Sequence, residues 1–425
     1  MSVVPVAFTG LAASLLDDGQ TVHSRFGVPL EVHETTTWRH DDPKFKDLKE
    51  CDVILWDEVS MCSKHIIRSV DRLIRDICRV NSPFGGKIVL FAGDFRQTGP
   101  IVKGGNNARS VSICFKNCHQ LWPLTRKYSL AENMRASEDP LFCEWLLNIG
   151  NGTLPSPNKD FKDFVHIPDE LLVKGSTKDL ASFAFNAKEK IAPEDISHLF
   201  NSAILTPLNV DADKINELVL GMMSGESREY LSANRIISDD KIEADNFPIE
   251  SILSDTPSGF PHHKLSLKVG CIVMCLKNIA IHLGLCNGTR MKVIALYNEL
   301  IECEILYGRH RGRRYFISKH RFSPDPKNLP LCPFERTQFP LKLAFAMTIN
   351  KSQGQTFDCI AIYLPAPVFA HGQLYVAFSR VRNSKAVKVL IENNSKRSMR
   401  HGQIITGNPN FYTRNVVCKA FLENE

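Results

Sequence analysis

The feature that most constrains the fold is a recurrence of short apolar runs, each closed off by turn residues. VPVAF (4–8), DVILWD (52–57), KIVLFAGD (87–94), SAILTP (202–207) and CIAIYL (359–364) have the length and apolar continuity of buried, parallel-type strands. Between two of them, Ile66, Ile67, Val70, Leu73, Ile74 and Ile77 recur at helical spacing, with Arg68, Asp71, Arg72 and Arg75 opposite. That pattern predicts a surface helix packed on a sheet, and the alternation as a whole predicts α/β lobes. Two stretches break it. Residues 151–200 are polar and punctuated by Pro and Gly, and read as a connecting region with few strong elements. Residues 265–322 hold the β-like runs KVGCIVMCL, TRMKVIAL and LIECEILYG joined by Gly, Asn and Arg turns, which predicts a small β-barrel inserted into an α/β lobe.

At 425 residues the chain has room for two or three domains. A net charge of +6 permits a polyanionic partner without requiring one. Thirteen cysteines, an odd number without framework spacing, suit a reducing compartment. Cys114, Cys118 and His119 have no second pair at zinc-finger distance, so no zinc site is expected. No apolar run reaches the length of a membrane span. The first sixteen residues imitate a signal peptide, but they lack a basic start and run into Asp17 and Asp18, so they are not read as one.

The chemistry-bearing residues sit where strands end. DVILWDEVSM closes its strand on Asp57 and Glu58, and ligands of open α/β sheets gather at the carboxyl ends of strands. In a nucleoside triphosphatase the roles would divide, Asp57 holding Mg²⁺ and Glu58 orienting the attacking water. The plainer reading is a strand followed by an acidic turn. GDFRQTGPIV ends the next strand, and the neutral amide of Gln97 can bond a γ-phosphate or its water without adding charge. Arg135 lies in LAENMRASEDP, and Arg380 ends an amphipathic helix in HGQLYVAFSRVRN. Arginines reaching a γ-phosphate from a second lobe stabilise the charge that develops there. Lys351, beside Thr348 and Ser352, suits a phosphodiester.

The segments DEVSM, GDFRQ, ENMR, GLCNGTR, QFPLKLAFAMTINKSQGQTFD and HGQLYVAFSR occur in this order. They resemble the helicase motifs of the PIF (petite integration frequency) family, including relatives carried by Helitron transposons. AFTGLAASLLDDGQTVHSRFGVP (7–29) resembles that family's motif Ia and the DNA-contacting segment after it, so the likeness runs from about Val6 to about Arg382. The resemblance implies an ATP-dependent, 5′-to-3′ DNA helicase of superfamily one, working in replication, recombination, repair or telomere upkeep. It implies two RecA-like parallel-sheet lobes, the first incomplete, with an SH3-like barrel inserted in the second. The matching boundaries are 1–134 for the first lobe, 135–264 and 338–425 for the second, and 265–337 for the barrel.

By the same resemblance Asp57 (with Mg²⁺) and Glu58 serve the metal and the water, and Gln97 senses the nucleotide. Arg135 and Arg380 face the γ-phosphate of ATP, and Gly354 with Gln355 links ATP to DNA movement. Thr9, Gly10, Thr21, His23, Phe26, Thr348 and Lys351 line a track for single-stranded DNA. His23 and Phe26 offer ring faces for bases, although Phe26 reads equally well as a core aromatic. The run RHRGRR (309–314) is read as a solvated basic hairpin tip rather than a phosphate contact. The implied partners are single-stranded DNA and DNA junctions, with no membrane and a monomeric chain. The implied compartment is intracellular, the nucleus first and the mitochondrion second.

One part of the family pattern is missing. No G-x-x-x-x-G-K-[ST] phosphate loop occurs in the 425 residues; the only Gly-Lys pair, Gly86–Lys87, is followed by Ile88 and leads into a strand. The family carries that loop upstream of the segment matched by residues 7–13, so the chain is expected to be an N-terminally shortened form. Its first sheet is then expected to present an open edge and apolar surface, and ATP hydrolysis to be very slow or absent. A non-hydrolysing single-strand-binding remnant is the alternative reading, and a chain that does not fold stably is a third. A smaller departure is Gly99 before Pro100, where relatives commonly carry Leu-Pro.

Overall fold

The computed structural model describes residues 1–29, 45–102, 107–156, 162–187, 191, 199–237, 252–253, 255–257, 259–324, 333–392 and 411–422. By internal contacts these form two units: Met1–Ala184 with Ile204–Ala212 and Met347–Glu425, and Phe185–Ala203 with Asp213–Ala346.

The first unit begins with β1 (Val3–Ala7), α1 (Gly10–Leu15), β2 (Gln20–Thr21) and α2 (Val22–Phe26). It continues through α3 (Lys46–Glu50), β3 (Val53–Asp57), α4 (Lys64–Cys78) and β4 (Ile88–Phe91). The strands form a parallel sheet in the order β2-β1-β3-β4, with Ala7 in register with Asp57 and Trp56 with Phe91. Parallel pairing brings all the carboxyl ends to one edge of the sheet, so the turns after Ala7, Asp57 and Phe91 lie side by side.

Alternation along each strand divides the sheet into two faces. Val4, Val6, Ile54 and Trp56 point into a core shared with the apolar stripe of α4. Ser63 caps α4, its hydroxyl accepting from the amide of Ile66. The opposite face, carrying Val3, Ile88 and Leu90, is open: these are 45%, 65% and 54% exposed. Among the described residues β4 is the edge strand, so an open edge accompanies the open face.

A second sheet follows the order Ala346–Thr348, Ser202–Thr206, Cys359–Leu364, Val387–Ile391, and its last two strands pair parallel. Every run read from the sequence as a buried strand is thus a strand. The stretch 151–200 contains more structure than expected, since Thr177–Phe185 is a helix.

The second unit is β-rich. Five strands within 272–343 form an antiparallel sheet, ordered Arg314–Ser318, Leu300–Ile305, Arg290–Leu296, Ile272–Cys275, Leu341–Leu343. Arg290 of the GLCNGTR run is buried there and donates to the carbonyls of Phe200, Ser202 and Ala344 at 3.2, 2.9 and 3.1 Å. Arg336 likewise donates to the carbonyls of Ile252, Asp255 and Pro261. Both arginines tie backbone segments together where no carboxylate is needed. Among the described residues, no helix is long and apolar enough to cross a membrane.

Phe26 belongs to this architecture rather than to a DNA track. It is 0% exposed and stacks on Trp56 with ring centroids 5.9 Å apart, so neither ring face is available to a base. Phe26→Ala should therefore cost about 3–5 kcal/mol of folding stability, as buried aromatic truncations do. Urea denaturation measures it; an unchanged midpoint with weakened DNA binding would return Phe26 to the track.

Candidate functional site

The site is built from the carboxyl ends of β3 and β4 and from two segments near the other end of the sequence. Asp57 is the last residue of β3, and one of its carboxylate oxygens accepts from the Glu58 amide at 2.8 Å. Glu58 then turns the chain with φ near 54°, a left-handed conformation that is costly for a residue with a Cβ. The β3–β4 ladder continues past this turn, since the Val59 amide bonds the Ala92 carbonyl at 2.9 Å. Gly93 follows, and a Cβ there would lie 3.0 Å from the Ser60 amide nitrogen; close approach explains the glycine.

Asp94 organises the loop after β4. Its carboxylate accepts from the Arg96 amide at 2.9 Å, and the Arg96 guanidinium lies 3.6 Å from the same oxygen. Arg96 also donates to Asn151 at 2.8 Å. The helix Gln373–Phe378 is seated on this loop. His371 Nε2 lies 2.9 Å from the Phe95 carbonyl, and Tyr375 shares a side-chain hydrogen bond with Asp94. Burial and that carboxylate push the Tyr375 phenol well above its usual range. Gly372 is required by the same docking: its φ is 71°, and a Cβ would fall 2.3 Å from the Arg96 carbonyl oxygen.

Two arginines complete the cluster. Arg380 is 2% exposed; its guanidinium donates to the Val376 carbonyl at 2.9 Å, the Ser379 hydroxyl at 2.8 Å and the Gln355 carbonyl at 3.3 Å. Burial, then the neighbouring Arg135, lowers its pKa to about 10, while Glu58, Tyr375 and Asp94 oppose the shift. Arg135 donates to the Thr356 hydroxyl at 3.0 Å and the Ser379 carbonyl at 2.8 Å. The residue is exposed along part of its length, yet desolvation of its guanidinium lowers its pKa too. Glu58 feels the sum. Desolvation, then Asp57, raises its carboxyl to about 7, Asp94 adds to the rise, and Arg380 and Arg135 pull against it.

Asp57, Glu58, Asp94, Arg135 and Arg380 are thus within one electrostatic neighbourhood. Among the described residues, Glu58 Oε2 and Gln97 Oε1 are buried acceptors without a hydrogen-bond partner. Such atoms are costly in a finished core and ordinary in a site that awaits a ligand or water. The donor set suits a phosphate with a divalent cation: carboxylates for the metal, guanidiniums for the anion.

The remaining candidates fall into two groups. Gly354, Gln355, Thr348 and Lys351 lie in one loop, and that loop is tied to the cluster. Gln355 donates to the Lys351 carbonyl at 2.9 Å, Thr98 donates to Gln353 at 2.6 Å, and Gly354 has φ near 76° in open space. Thr9, Gly10, Thr21 and His23 follow β1 and β2. The Thr9 and Thr21 hydroxyls cap α1 and α2, accepting from Ala12 and Ser24, each at 3.2 Å, and Thr21 is nearly buried. His23 Nδ1 lies 3.0 Å from the Val28 carbonyl. Sequence reasoning missed Asp94, Arg96, His371 and Tyr375 as site residues.

Two family models match this chain, one described as a PIF1-like helicase over residues 1–160, the other as the 2B domain of the DNA helicase Pif1 over residues 254–296. The chain is similar to the ATP-dependent DNA helicase PIF1 of Danio rerio, 27% identical, over 92% of this chain and 54% of that protein. It is similar to the ATP-dependent DNA helicase Pif1 of Bdellovibrio bacteriovorus, 28% identical, over 91% of this chain and 77% of that protein. The chain spans about half the length of the vertebrate relatives that it matches. Among solved structures it is similar to the Pif1 helicase from Bacteroides in complex with ADP-AlF3 and ssDNA, at 27% identity and TM-score 0.64, covering 97% of this chain and 89% of that one. It is also similar to the Pif1 helicase from Candida albicans, at 25% identity and TM-score 0.61, covering 93% and 86%.

Proposed function

We propose that this chain, which belongs to the PIF1-like helicase family, carries the motor of an ATP-dependent DNA helicase that moves 5′-to-3′ on single-stranded DNA. The observation that carries the proposal is the gathering of Asp57, Glu58, Asp94 and two buried or crowded arginines around unsatisfied acceptors. ATP with Mg²⁺ supplies the transferable phosphoryl group and the charge that neutralises it. Asp57 would hold the cation. Glu58, with a pKa near neutrality, orients water and accepts its proton at Oε2. Arg380 and Arg135 stabilise negative charge on the terminal phosphoryl oxygens. Gln97 reports the phosphate to its loop, its Nε2 donating to a phosphoryl oxygen or its unpartnered Oε1 accepting from the attacking water.

The link to DNA runs through named bonds. A shift of the loop after β4 is transmitted by Thr98 to Gln353, hence to the segment carrying Lys351 and Thr348. Arg380 grips the same segment at the Gln355 carbonyl. Lys351 is proposed to contact a phosphodiester, so Lys351→Ala should weaken single-strand binding and reduce the slope of log affinity against log salt by roughly 0.7–1. Fluorescence anisotropy across a salt series measures this; an unaltered slope would remove Lys351 from the track. The lobe boundaries at 134/135, 264/265 and 337/338 and a nuclear site of action belong to the same proposal.

The 425 residues contain no G-x-x-x-x-G-K-[ST] segment. Without backbone amides and a lysine around the phosphates, this polypeptide should bind single-stranded DNA in a salt-dependent way and show little or no DNA-stimulated ATP hydrolysis. Ready hydrolysis by the purified 425-residue chain would overturn that expectation.

A further inference from the structure

The loop after β4 carries Asp94, Gln97 and Thr98, and it is held from two sides. On one side is the helix Gln373–Phe378, whose Tyr375 bonds Asp94. On the other is the segment 411–422, to which the phosphate chemistry gives no part. Its strand Tyr412–Arg414 pairs antiparallel with Phe164–His166. Past that strand the Asn415 side chain donates to the Ile149 carbonyl at 2.9 Å, and the Val416 carbonyl accepts from the Gly372 amide at 3.0 Å. The segment thus crosses the end of the helix Pro140–Asn151 on its way to the loop.

Two side chains join it there. His371 Nδ1 accepts from the Cys418 amide at 3.0 Å, and His371 Nε2 donates to the Phe95 carbonyl at 2.9 Å. A backbone amide only donates and a carbonyl only accepts, so these partners fix the neutral imidazole with its proton on Nε2. Phe421 stacks on the same ring, with centroids 4.6 Å apart and planes 14° apart. Its far edge fills the space over Gly99, where a Cβ would lie 2.7 Å from Cε1 and 2.8 Å from Cζ. Lys419 and Ala420 beside it are exposed, whereas Phe421 is 1% exposed. One buried ring after two exposed residues is an anchor, and what it grips is His371 and Gly99.

We propose that Phe421 and His371 are positioning residues for Gln97, clasping the loop after β4 so that the Gln97 side chain is held toward the phosphoryl site. The proposal deepens the motor reading and rests on it for the role of Gln97. Both anchors act through the backbone, at the Phe95 carbonyl on one flank of Gln97 and at Gly99 on the other. A loop pinned at both flanks keeps few conformations, which is how a supporting shell holds a reacting group in place. Within that span the Gln97 amide bonds the Asp94 carbonyl at 3.2 Å, and Thr98 donates to Gln353. Loosening either anchor should therefore be felt in the segment that carries Lys351.

The test uses the full 425-residue chain. Amide exchange followed by NMR should quicken roughly tenfold or more at Gln97 in Phe421→Ala and in His371→Ala, because the loop opens locally. The Leu55 amide, in the central strand β3, should keep its rate. His371→Gln retains a donor and an acceptor on one planar group, so it should stay close to the parent. Gly99→Ala leaves both anchors in place but displaces the ring, so it should act like Phe421→Ala. Joined to Phe421→Leu, which withdraws the ring edge, Gly99→Ala should exchange more slowly at Gln97 than it does alone, as coupled neighbours do. Binding of an oligo(dT) strand, read by fluorescence anisotropy, should weaken about threefold or more in each quickened variant. Unchanged Gln97 exchange in Phe421→Ala and Gly99→Ala would overturn the proposal. So would a His371→Gln chain as quick as His371→Ala, or quickening shared equally by Leu55, which would reduce both residues to global stability. Quickened exchange at Gln97 in a chain whose Glu58 titrates as an ordinary glutamate would leave the clasp standing and remove the motor reading. A Glu58 pKa near 7 with Gln97 exchange indifferent to every variant would do the reverse.

Discussion

Arg380→Ala is expected to lower ATP turnover by about three to five orders of magnitude, the range over which arginine fingers act. The measurement needs a form of the chain supplied with a phosphate loop, and its readout is single-turnover hydrolysis at saturating DNA. The structure gives two reasons for so large an effect. Arg380 is almost wholly buried, so its charge acts in a medium that screens it little. It is also held by the Val376, Ser379 and Gln355 oxygens, so it needs no reorganisation to meet a phosphoryl group. The same burial predicts a structural cost of about 1–3 kcal/mol for each buried oxygen left without its donor, at Val376, Ser379 and Gln355. Arg380→Lys separates the two effects. It keeps the charge but not the fork, so it should restore more of the stability than of the turnover. A turnover loss of less than tenfold in a folded Arg380→Ala chain would exclude the arginine from the reaction.

Glu58→Gln should abolish turnover in the form supplied with a phosphate loop, and should make the protein more stable at alkaline pH. In the folded chain burial raises the Glu58 carboxyl to about 7 from an ordinary value near 4.5. The folded state therefore holds this proton more tightly than the unfolded state does. The contribution of Glu58 thus favours folding at low pH and is lost as pH rises from about 4.5 to about 7. Above that window its ionised form opposes folding by about 3–4 kcal/mol, given about 1.4 kcal/mol for each pK step. Glutamine has the same shape and no charge, so the opposing term disappears. Urea midpoints at pH 5 and pH 8 test this: the variant should gain on the parent at pH 8 and hardly at all at pH 5. With a phosphate loop supplied, turnover should fall as pH drops through about 7, where Oε2 gains its proton and can no longer accept one. Equal gains at both pH values, or turnover retained in the variant, would contradict the role given to Glu58.

The sequence disclosed the strands more readily than the surfaces around them. VPVAF, DVILWD and KIVLFAGD became β1, β3 and β4 because uninterrupted apolar runs between turn residues have few other solutions. The helix read from Ile66 to Ile77 proved to be α4, Lys64–Cys78, fixed by its apolar stripe. Thr177–Phe185 escaped notice because a nine-residue helix inside a polar stretch carries too few turns to show its period.

The site was legible in part. Strand ends announced Asp57 and Glu58, and the C-terminal helix announced Arg380. Asp94 and Tyr375 were not legible, since their meeting depends on how the Gln373–Phe378 helix seats on a loop distant in sequence. Gly372 hid the clue: only coordinates show that a Cβ there would strike the Arg96 carbonyl. Phe26 illustrates the opposite failure. A ring next to His23 looks like a base platform in one dimension and turns out to lie under Trp56 in three.

The central claim, that acids after β3 and β4 and guanidiniums from remote segments converge on one phosphoryl site, is tested most directly by titrating Glu58. Carbon-13 NMR of its labelled carboxyl should give a pKa near 7 in the parent chain and a clearly higher one in Arg380→Gln, because the neighbouring positive charge is gone. A carboxyl that titrates in the ordinary glutamate range and ignores the loss of Arg380 would mean that the two side chains never share a site.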